Sequence, residues 1–240
     1  MSPGTTEGAP PSGYVYGPPY RITVSLILRG AAAIILGRRR SLARDASTLQ
    51  RHMPSPPQVR GGDRIPETGT FVVVANHYER PGLWMAWSAM LISHEVRART
   101  GKETHWIAIQ EWEAFSLRGI DIPRGLIRFV FQRAFATYGI IAMPPPDAPA
   151  ASRAGAMRLS AGEVKRGGIL GLMPEGTVGS TPELLHAREG AGVFLLLLAA
   201  SGARILPVGL YEEQGKLVAE FGEPFALHLP RGVPKHARDT

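Results

Sequence analysis

The stretch that decides the fold is VVVANHYERPGLWM, residues 72–85, in which an apolar run ends abruptly in polar residues. A second stretch, ILGLMPEGTVGS at residues 169–180, has the same form. Neither apolar run alternates with polar residues, as is typical of strands that are buried on both faces of a parallel sheet. Ligands bind such sheets beyond the carboxyl ends of the strands. The sequence therefore predicts one site in which Asn76-His77 faces Pro174-Glu175-Gly176-Thr177.

Short apolar segments alternate with longer helical patterns along most of the chain. The predicted strands are 71–75, 106–109, 139–143, 168–173, 204–210 and 216–221, and the predicted helices are 81–99, 124–137, 150–166 and 187–201. This alternation favours an α/β fold with a mainly parallel central sheet flanked by helices. The 240 residues, of which 44% are hydrophobic, support one such domain, which we place at residues 61–230.

The ends of the chain differ from this domain in composition. Residues 1–19 are rich in Pro and Gly and are predicted to be a disordered tail, and residues 231–240 form a second tail. Residues 20–60 are predicted to be a basic apolar membrane-docking segment and a linker. They hold eight arginines and one acid (8 − 1 = +7), while the other 19 bases and 19 acids cancel. The whole net charge of +7 therefore belongs to this segment, which indicates a polyanionic partner.

Residues 20–40 are apolar but are interrupted by Arg29, and the run is too short for a spanning helix. Flanking arginines favour a helical segment that lies in the membrane interface and contacts anionic headgroups. The predicted location is the cytoplasmic face of the cell membrane, with peripheral or monotopic attachment. A core-packing helix or a solvated tether are the alternatives. Few aromatic residues accompany the arginines, so no nucleic-acid partner is expected.

His77 and Glu175 are the two candidate catalytic residues in these motifs. The pKa of a histidine near neutrality suits a general base. Glu175 lies between a proline, which fixes backbone direction, and a glycine, which permits close approach. Cysteine is absent, which excludes thiol nucleophiles and thiolate zinc sites. No metal site and no serine nucleophile elbow is expected.

Four segments in order resemble the glycerolipid (lysophospholipid and 1-acyl-glycerol-3-phosphate) acyltransferase family. Asn76-His77 resembles the motif Asn-His-x4-Asp, and Met173-Pro-Glu-Gly-Thr177 resembles Phe-Pro-Glu-Gly-Thr-Arg-Ser. Gly139–Met143 and Ile205-Leu-Pro-Val-Gly209 lie where the second and fourth motifs are expected, and the helix that follows Glu189-Gly190-Ala191 is similar as well. The resemblance covers about residues 71–225.

The resemblance implies a glycerol-3-phosphate acyltransferase-like fold and a direct acyl transfer. His77 would take a proton from a hydroxyl of a lysolipid or a glycolipid-like acceptor, which then attacks an acyl thioester. The donor would be acyl-CoA or acyl carrier protein, used as a co-substrate, and no cofactor is implied. The partners would be a membrane lipid and this donor. Asn76, Gly176 and Thr177 would shape the binding site, and the oligomeric state is not specified.

Three motif positions depart from the family. The aspartate expected five residues after His77 is Gly82, and the motif arginines are replaced by Pro144 and Val178. Glu79, Glu175 or a backbone carbonyl could orient His77 instead. Arg80 and Arg188 could bind an anionic headgroup, although a less anionic acceptor is the simpler interpretation. The alternative function is a non-catalytic lipid-binding relative that has lost the aspartate.

Overall fold

The computed structural model describes residues 19–51, 56–80, 82–84, 86–109, 115–117, 120–145, 148–176 and 184–227. Most of the predicted tails (1–18 and 231–240), together with Thr177 and Val178, lie outside the described residues. The described chain contains nine strands, which are β1 (Gln58–Arg60), β2 (Phe71–Ala75), β3 (Thr104–Ile109), β4 (Phe115–Leu117), β5 (Ile120–Ile122), β6 (Ile141–Met143), β7 (Ile169–Leu172), β8 (Arg204–Glu213) and β9 (Lys216–Phe221).

Seven of these strands form one sheet in the order β1-β9-β8-β2-β7-β3-β6. Every neighbouring pair is parallel except β8 and β9, which form an antiparallel hairpin. The strands β4 and β5 pair separately. The predicted α/β architecture with a mainly parallel sheet is therefore confirmed.

Six helices accompany the sheet, and they are α1 (Val24–Leu36), α2 (Leu42–Gln50), α3 (Ala86–Thr100), α4 (Arg124–Tyr138), α5 (Ala150–Lys165) and α6 (Ala191–Ala200). The central strand β2 is covered on both faces. Its Val73 packs in a cluster with Trp87 of α3, and its Val72 packs in a second cluster with Phe194 and Leu198 of α6. This two-sided burial explains why its sequence reads as an uninterrupted apolar run.

Two helices begin later than the sequence predicts. The predicted helix 81–99 begins at Ala86, because Arg80 and Leu83 pair as an isolated β-bridge and Gly82 takes a positive φ of 79°. The predicted helix 187–201 begins at Ala191, because Gly190 adopts the left-handed conformation at the N-cap. In both cases, a glycine with positive φ forms a turn before the helix. The helix therefore begins later, and the loop before it is longer, than the apolar pattern predicts.

The segment 20–60 is more structured than a docking segment and linker. Helix α2 packs against α3, and β1 joins the sheet by pairing with β9. The sheet therefore reaches into residues that the sequence analysis assigns to the linker. None of the helices within the described ranges is both long and apolar enough to cross a membrane.

Candidate active site

Three adjacent parallel strands bring both polar motifs to the same edge of the sheet. Strand β2 lies between β7 and β8, with Val74 opposite Leu172 of β7 and Ala75 opposite Val208 of β8. Asn76-His77 directly follows β2, and Met173-Pro174-Glu175 directly follows β7. The predicted meeting of the two motifs is therefore a result of strand order and register.

Asn76 fixes the backbone where β2 ends. Its Oδ1 accepts a hydrogen bond from the Leu210 N–H at 2.7 Å, and its Nδ2 donates to the Leu210 carbonyl at 2.8 Å. The side chain thus pairs with β8 as another strand residue would. Asn76 was predicted to shape the binding site, and the structure gives it a positioning role through the backbone.

Glu175 joins the two motifs through a buried carboxylate. Its Oε2 accepts a hydrogen bond from the His77 backbone N–H at 2.7 Å, and its Oε1 accepts one from the Leu185 N–H at 3.1 Å. The residue is only 5% exposed. The charge of Glu175 is therefore held next to His77 by two backbone donors, which is an arrangement that stabilises a carboxylate.

The imidazole of His77 is half-buried in a way that favours its neutral form. Removal from water lowers the pKa of His77, and the nearby Glu175 charge acts in the opposite direction but with the smaller effect. The ring Nδ1 is buried, and within the described part of the chain it has no hydrogen-bond partner. A neutral imidazole can accept a proton, and among the described residues the Glu175 charge is the one that stabilises its protonated form.

The loop after His77 is held by a buried ion pair that the sequence analysis did not predict. Arg80 donates two hydrogen bonds to Oε1 of Glu212 on β8, from Nε at 3.0 Å and from Nη2 at 2.5 Å. Tyr78 donates its hydroxyl hydrogen to Oε2 of the same carboxylate at 3.3 Å. The side chains of Arg80 and Glu212 are 3% and 1% exposed. Arg80 is therefore engaged inside the protein, which argues against the prediction that it binds a headgroup.

Pro19 occupies the space that a side chain at position 82, where the family aspartate is expected, would need. Gly82 has a φ of +79°, and a Cβ added there would lie 2.8 Å from Cβ of Pro19. The next residue, Tyr20, donates its N–H to the Gly82 carbonyl at 2.7 Å and accepts a hydrogen bond from the Trp87 indole at 3.1 Å. No side chain fits at position 82 without a rearrangement of this contact.

Arg188 lies at the turn formed by the second motif. A Cβ added to Gly176, whose φ is +60°, would lie 2.6 Å from Cδ of Arg188. The Arg188 N–H also donates to the Pro174 carbonyl at 2.8 Å. The glycine is thus required for the arginine to pack against the turn, and this packing places Arg188 beside the second motif. Thr177, the remaining predicted residue, lies outside the described residues.

Glu79 and Glu175 were both considered as substitutes for the missing aspartate. Glu79 is half-buried in the loop that follows His77. The carboxylate that raises the pKa of His77, against the effect of burial, is that of Glu175. Glu175, which also accepts the His77 N–H at 2.7 Å, is therefore the group placed to stabilise a protonated His77.

Glu212 and Tyr20 contact the loop that follows His77, and neither contact was predicted from the sequence. Glu212 lies 132 residues from Arg80 in the chain, and neither residue type nor spacing connects them.

Within the described ranges, no group of three His, Asp or Glu side chains is arranged to hold a metal ion. Among the described residues, the groups brought together at the site are the His77 imidazole, the buried Glu175 carboxylate, backbone amides and Arg188 beside the second motif.

Comparison with known proteins agrees with this fold. The sequence model of the family described as Acyltransferase matches residues 56–211. No curated protein matches the chain. Among solved structures, the chain is similar to PlsC, the 1-acyl-sn-glycerophosphate (LPA) acyltransferase from Thermotoga maritima. The TM-score is 0.51 at 16% identity, with 89% of this chain and 81% of that chain covered.

The fold is therefore a single α/β domain of the kind found in PlsC, with its polar motifs at the carboxyl edge of a mostly parallel sheet. The family match covers well over half of the chain and contains both motifs. The chain belongs to the Acyltransferase family. The resemblance of its motifs to the glycerolipid acyltransferases is thus confirmed at the level of family and fold.

Proposed function

We propose that the protein transfers a fatty acyl group from a thioester to a hydroxyl of a lipid-like acceptor, with His77 as the general base. The observation that carries this proposal is the position of His77 at the end of β2, with its backbone bonded to Glu175 at the end of β7. Both residues lie inside the segment that matches the Acyltransferase family.

The proposed reaction needs no covalent enzyme intermediate. Neutral His77 takes the proton of the acceptor hydroxyl while the acceptor oxygen attacks the thioester carbonyl carbon. The C–S bond then breaks, and the proton returns from His77 to the departing thiolate. The lowered pKa keeps His77 neutral before the reaction, and the Glu175 charge stabilises the imidazolium that forms during it.

The acceptor we propose is less anionic than a phosphate monoester. Pro144 and Val178 occupy the positions of the family's motif arginines, and Arg80 is engaged with Glu212. Arg188, which packs against Gly176, remains the candidate for contact with a headgroup. A lysolipid, a glycolipid or an amine-bearing lipid fits this distribution of charge. The donor is acyl-CoA or acyl carrier protein, and the place of reaction is the cytoplasmic face of the cell membrane.

A specific observation also supports the alternative of a non-catalytic lipid-binding relative. The buried Nδ1 of His77 has no partner among the described residues, and Gly82 supplies no carboxylate to it. A family histidine without an orienting aspartate loses much of its ability to act as a base, as the roughly 10⁴-fold loss in a serine protease triad illustrates.

Acyl transfer from labelled acyl-CoA to a panel of lysolipids and glycolipids tests the proposal, with a repeat using acyl carrier protein as donor. We expect transfer that His77→Ala reduces by about 10²–10⁴-fold, the range for loss of a general base. His94→Ala is the matched control, because His94 lies on α3 away from both motifs. Absence of transfer with both donors, alongside retained lipid binding, would assign the protein to the non-catalytic alternative.

A further inference from the structure

Helix α1 exposes large apolar side chains on the side that faces away from the protein. Val24, Ile27, Leu28 and Ile35 are 55–72% exposed and lie at helical spacing. Its opposite side is buried through Leu26, Gly30 and Ala33. A helix that is apolar on both sides is expected in a core or at a membrane, and here the described part of the chain covers only one side.

Helix α4 also exposes large apolar side chains on one side. Leu126, Phe129 and Val130 are 43–56% exposed and lie on one side of the helix. Ile127 and Thr137 are its buried residues. The apolar pattern of residues 124–137 is by itself compatible with a helix that lines an acyl tunnel, one that touches a membrane or one that packs in the core. The exposure of its apolar side excludes the core for those side chains.

The two helices are joined through Arg133 of α4. This side chain donates from Nη2 to the Ile35 carbonyl, in the last turn of α1, at 3.1 Å. The same guanidinium lies 5.7 Å from the centre of the Phe129 ring. Arg133 therefore links the exposed Phe129 of α4 to the end of α1 that carries the exposed Ile35. We call the exposed apolar side chains of both helices, with Arg133, the α1–α4 surface.

The charge around the α1–α4 surface has one sign. Residues 20–40 and 124–138 contain no acid, and seven of their arginines are exposed: Arg21, Arg29, Arg38, Arg39, Arg124, Arg128 and Arg133. None of these seven forms an ion pair with any carboxylate that the structure describes. By contrast, Arg40 and Arg60 from the basic segment pair with Asp45 and Glu213.

We propose that the α1–α4 surface docks the protein on an anionic lipid bilayer, with α4 inserting apolar side chains alongside α1. Apolar side chains in the acyl boundary and arginines at the headgroups are the features that hold interfacial helices. A second copy of the chain is a poorer fit, because two such surfaces placed face to face would bring together arginines of like charge. The proposal extends membrane attachment from the basic segment to a helix about 90 residues later, and it does not require catalysis.

Flotation of the full chain with vesicles tests this proposal without an activity measurement. The vesicles are phosphatidylcholine alone and an equimolar mixture of phosphatidylcholine and phosphatidylglycerol. We expect binding to the mixed vesicles that falls as salt is raised, because salt screens exposed charges. Leu126→Ser with Phe129→Ser on α4 should weaken binding at least about tenfold, since each exposed side chain loses apolar contact with lipid.

The matched control is Leu159→Ser on α5, where a leucine is 63% exposed outside the α1–α4 surface. It should bind vesicles as the unchanged protein does. Arg124→Gln with Arg128→Gln removes charge without altering apolar packing, and it should weaken binding to the mixed vesicles selectively. Circular dichroism melting shows whether each variant is folded.

Three results would overturn the proposal. Equal vesicle binding by the α4 variants and the unchanged protein would restrict attachment to the rest of the chain. A dimer in solution that the α4 variants dissociate would assign the surface to a second copy. Failure of vesicle binding with retained acyl transfer to a soluble acceptor would reject docking while leaving the proposed function intact.

Discussion

The carboxyl edge of the sheet and the α1–α4 surface depart from the usual distribution of side chains in opposite ways. At the sheet edge, the charged groups of Arg80, Glu212 and Glu175 are buried and bonded to protein partners. On the α1–α4 surface, large apolar side chains are exposed beside arginines. A buried charge requires a partner group inside the protein. An exposed apolar surface with charges of one sign instead indicates a binding partner outside the protein.

The difference separates two kinds of function within one domain. The sheet edge is organised by contacts that the chain makes with itself, so changes there should alter stability and the properties of His77. The α1–α4 surface contributes little to folding through its exposed side chains, so changes there should alter binding alone. The predictions below test this separation.

Breaking the buried ion pair should have the largest effect. In Glu212→Gln, the guanidinium of Arg80 stays buried without its counter-charge, which should lower the free energy of unfolding by about 3–5 kcal/mol. Urea unfolding monitored by tryptophan fluorescence measures this change. The adjacent Glu213→Gln is the control, because the pair between Arg60 and Glu213 is exposed and screened by solvent. Equal effects of the two substitutions would contradict the assigned role of burial.

Restoring the family aspartate should destabilise the protein and not activate it. Gly82→Asp combines a positive φ with a contact against Pro19, and together these should cost about 2–4 kcal/mol. Gly101→Asp is the matched control, since Gly101 has a φ of +72° and no atom within 4 Å of an added Cβ. The difference in melting temperature between the two variants reports the Pro19 contact. A faster acyl transfer in Gly82→Asp would show that the aspartate is accommodated.

Replacing Glu175 should have an intermediate effect and should also change His77. An amide has one acceptor oxygen, so Glu175→Gln cannot accept from both His77 and Leu185, which should cost about 1–3 kcal/mol. Removal of the charge should lower the pKa of His77 further and move the acidic limb of the rate profile to lower pH. Glu223→Gln, at an exposed position, should change neither quantity. An unmoved acidic limb would reject the coupling.

The smallest expected effect is on the pH dependence of stability. Burial holds the pKa of His77 below its ordinary value of 6.5. Below that pH, the unfolded chain binds more protons than the folded one, so stability falls as the pH falls. His77→Gln keeps the backbone N–H that bonds Glu175 and should flatten this part of the unfolding curve. Phe129→Ser should leave it unchanged, and identical slopes for all three proteins would remove His77 as the cause.

The sequence was sufficient for the central strands and for the meeting of the two motifs. The run Phe71–Ala75 has no polar alternation, and that feature identifies a strand buried on both faces. Once β2 and β7 are parallel neighbours, their carboxyl ends must lie at one edge, so His77 and Glu175 come together. These inferences depend on local pattern and on a general rule of sheet geometry.

Contacts between distant parts of the chain were not predictable in this way. The pairing of Arg80 with Glu212 depends on β8 lying next to β2. The three-residue strand β1 is too short to have a periodic pattern and lies in a segment rich in Pro and Gly. The α1–α4 surface requires two helices to pack together, which separate apolar patterns do not reveal.

The contact between Gly82 and Pro19 also has an evolutionary consequence. A reversion to aspartate at position 82 meets a residue 63 positions earlier, so its effect depends on what occupies position 19. The effects of substitutions at positions 19 and 82 should therefore depend on each other. An aspartate at position 82 should be tolerated only with a smaller or displaced residue at position 19. A single substitution at position 82 is therefore not expected to restore the family motif without a change at position 19.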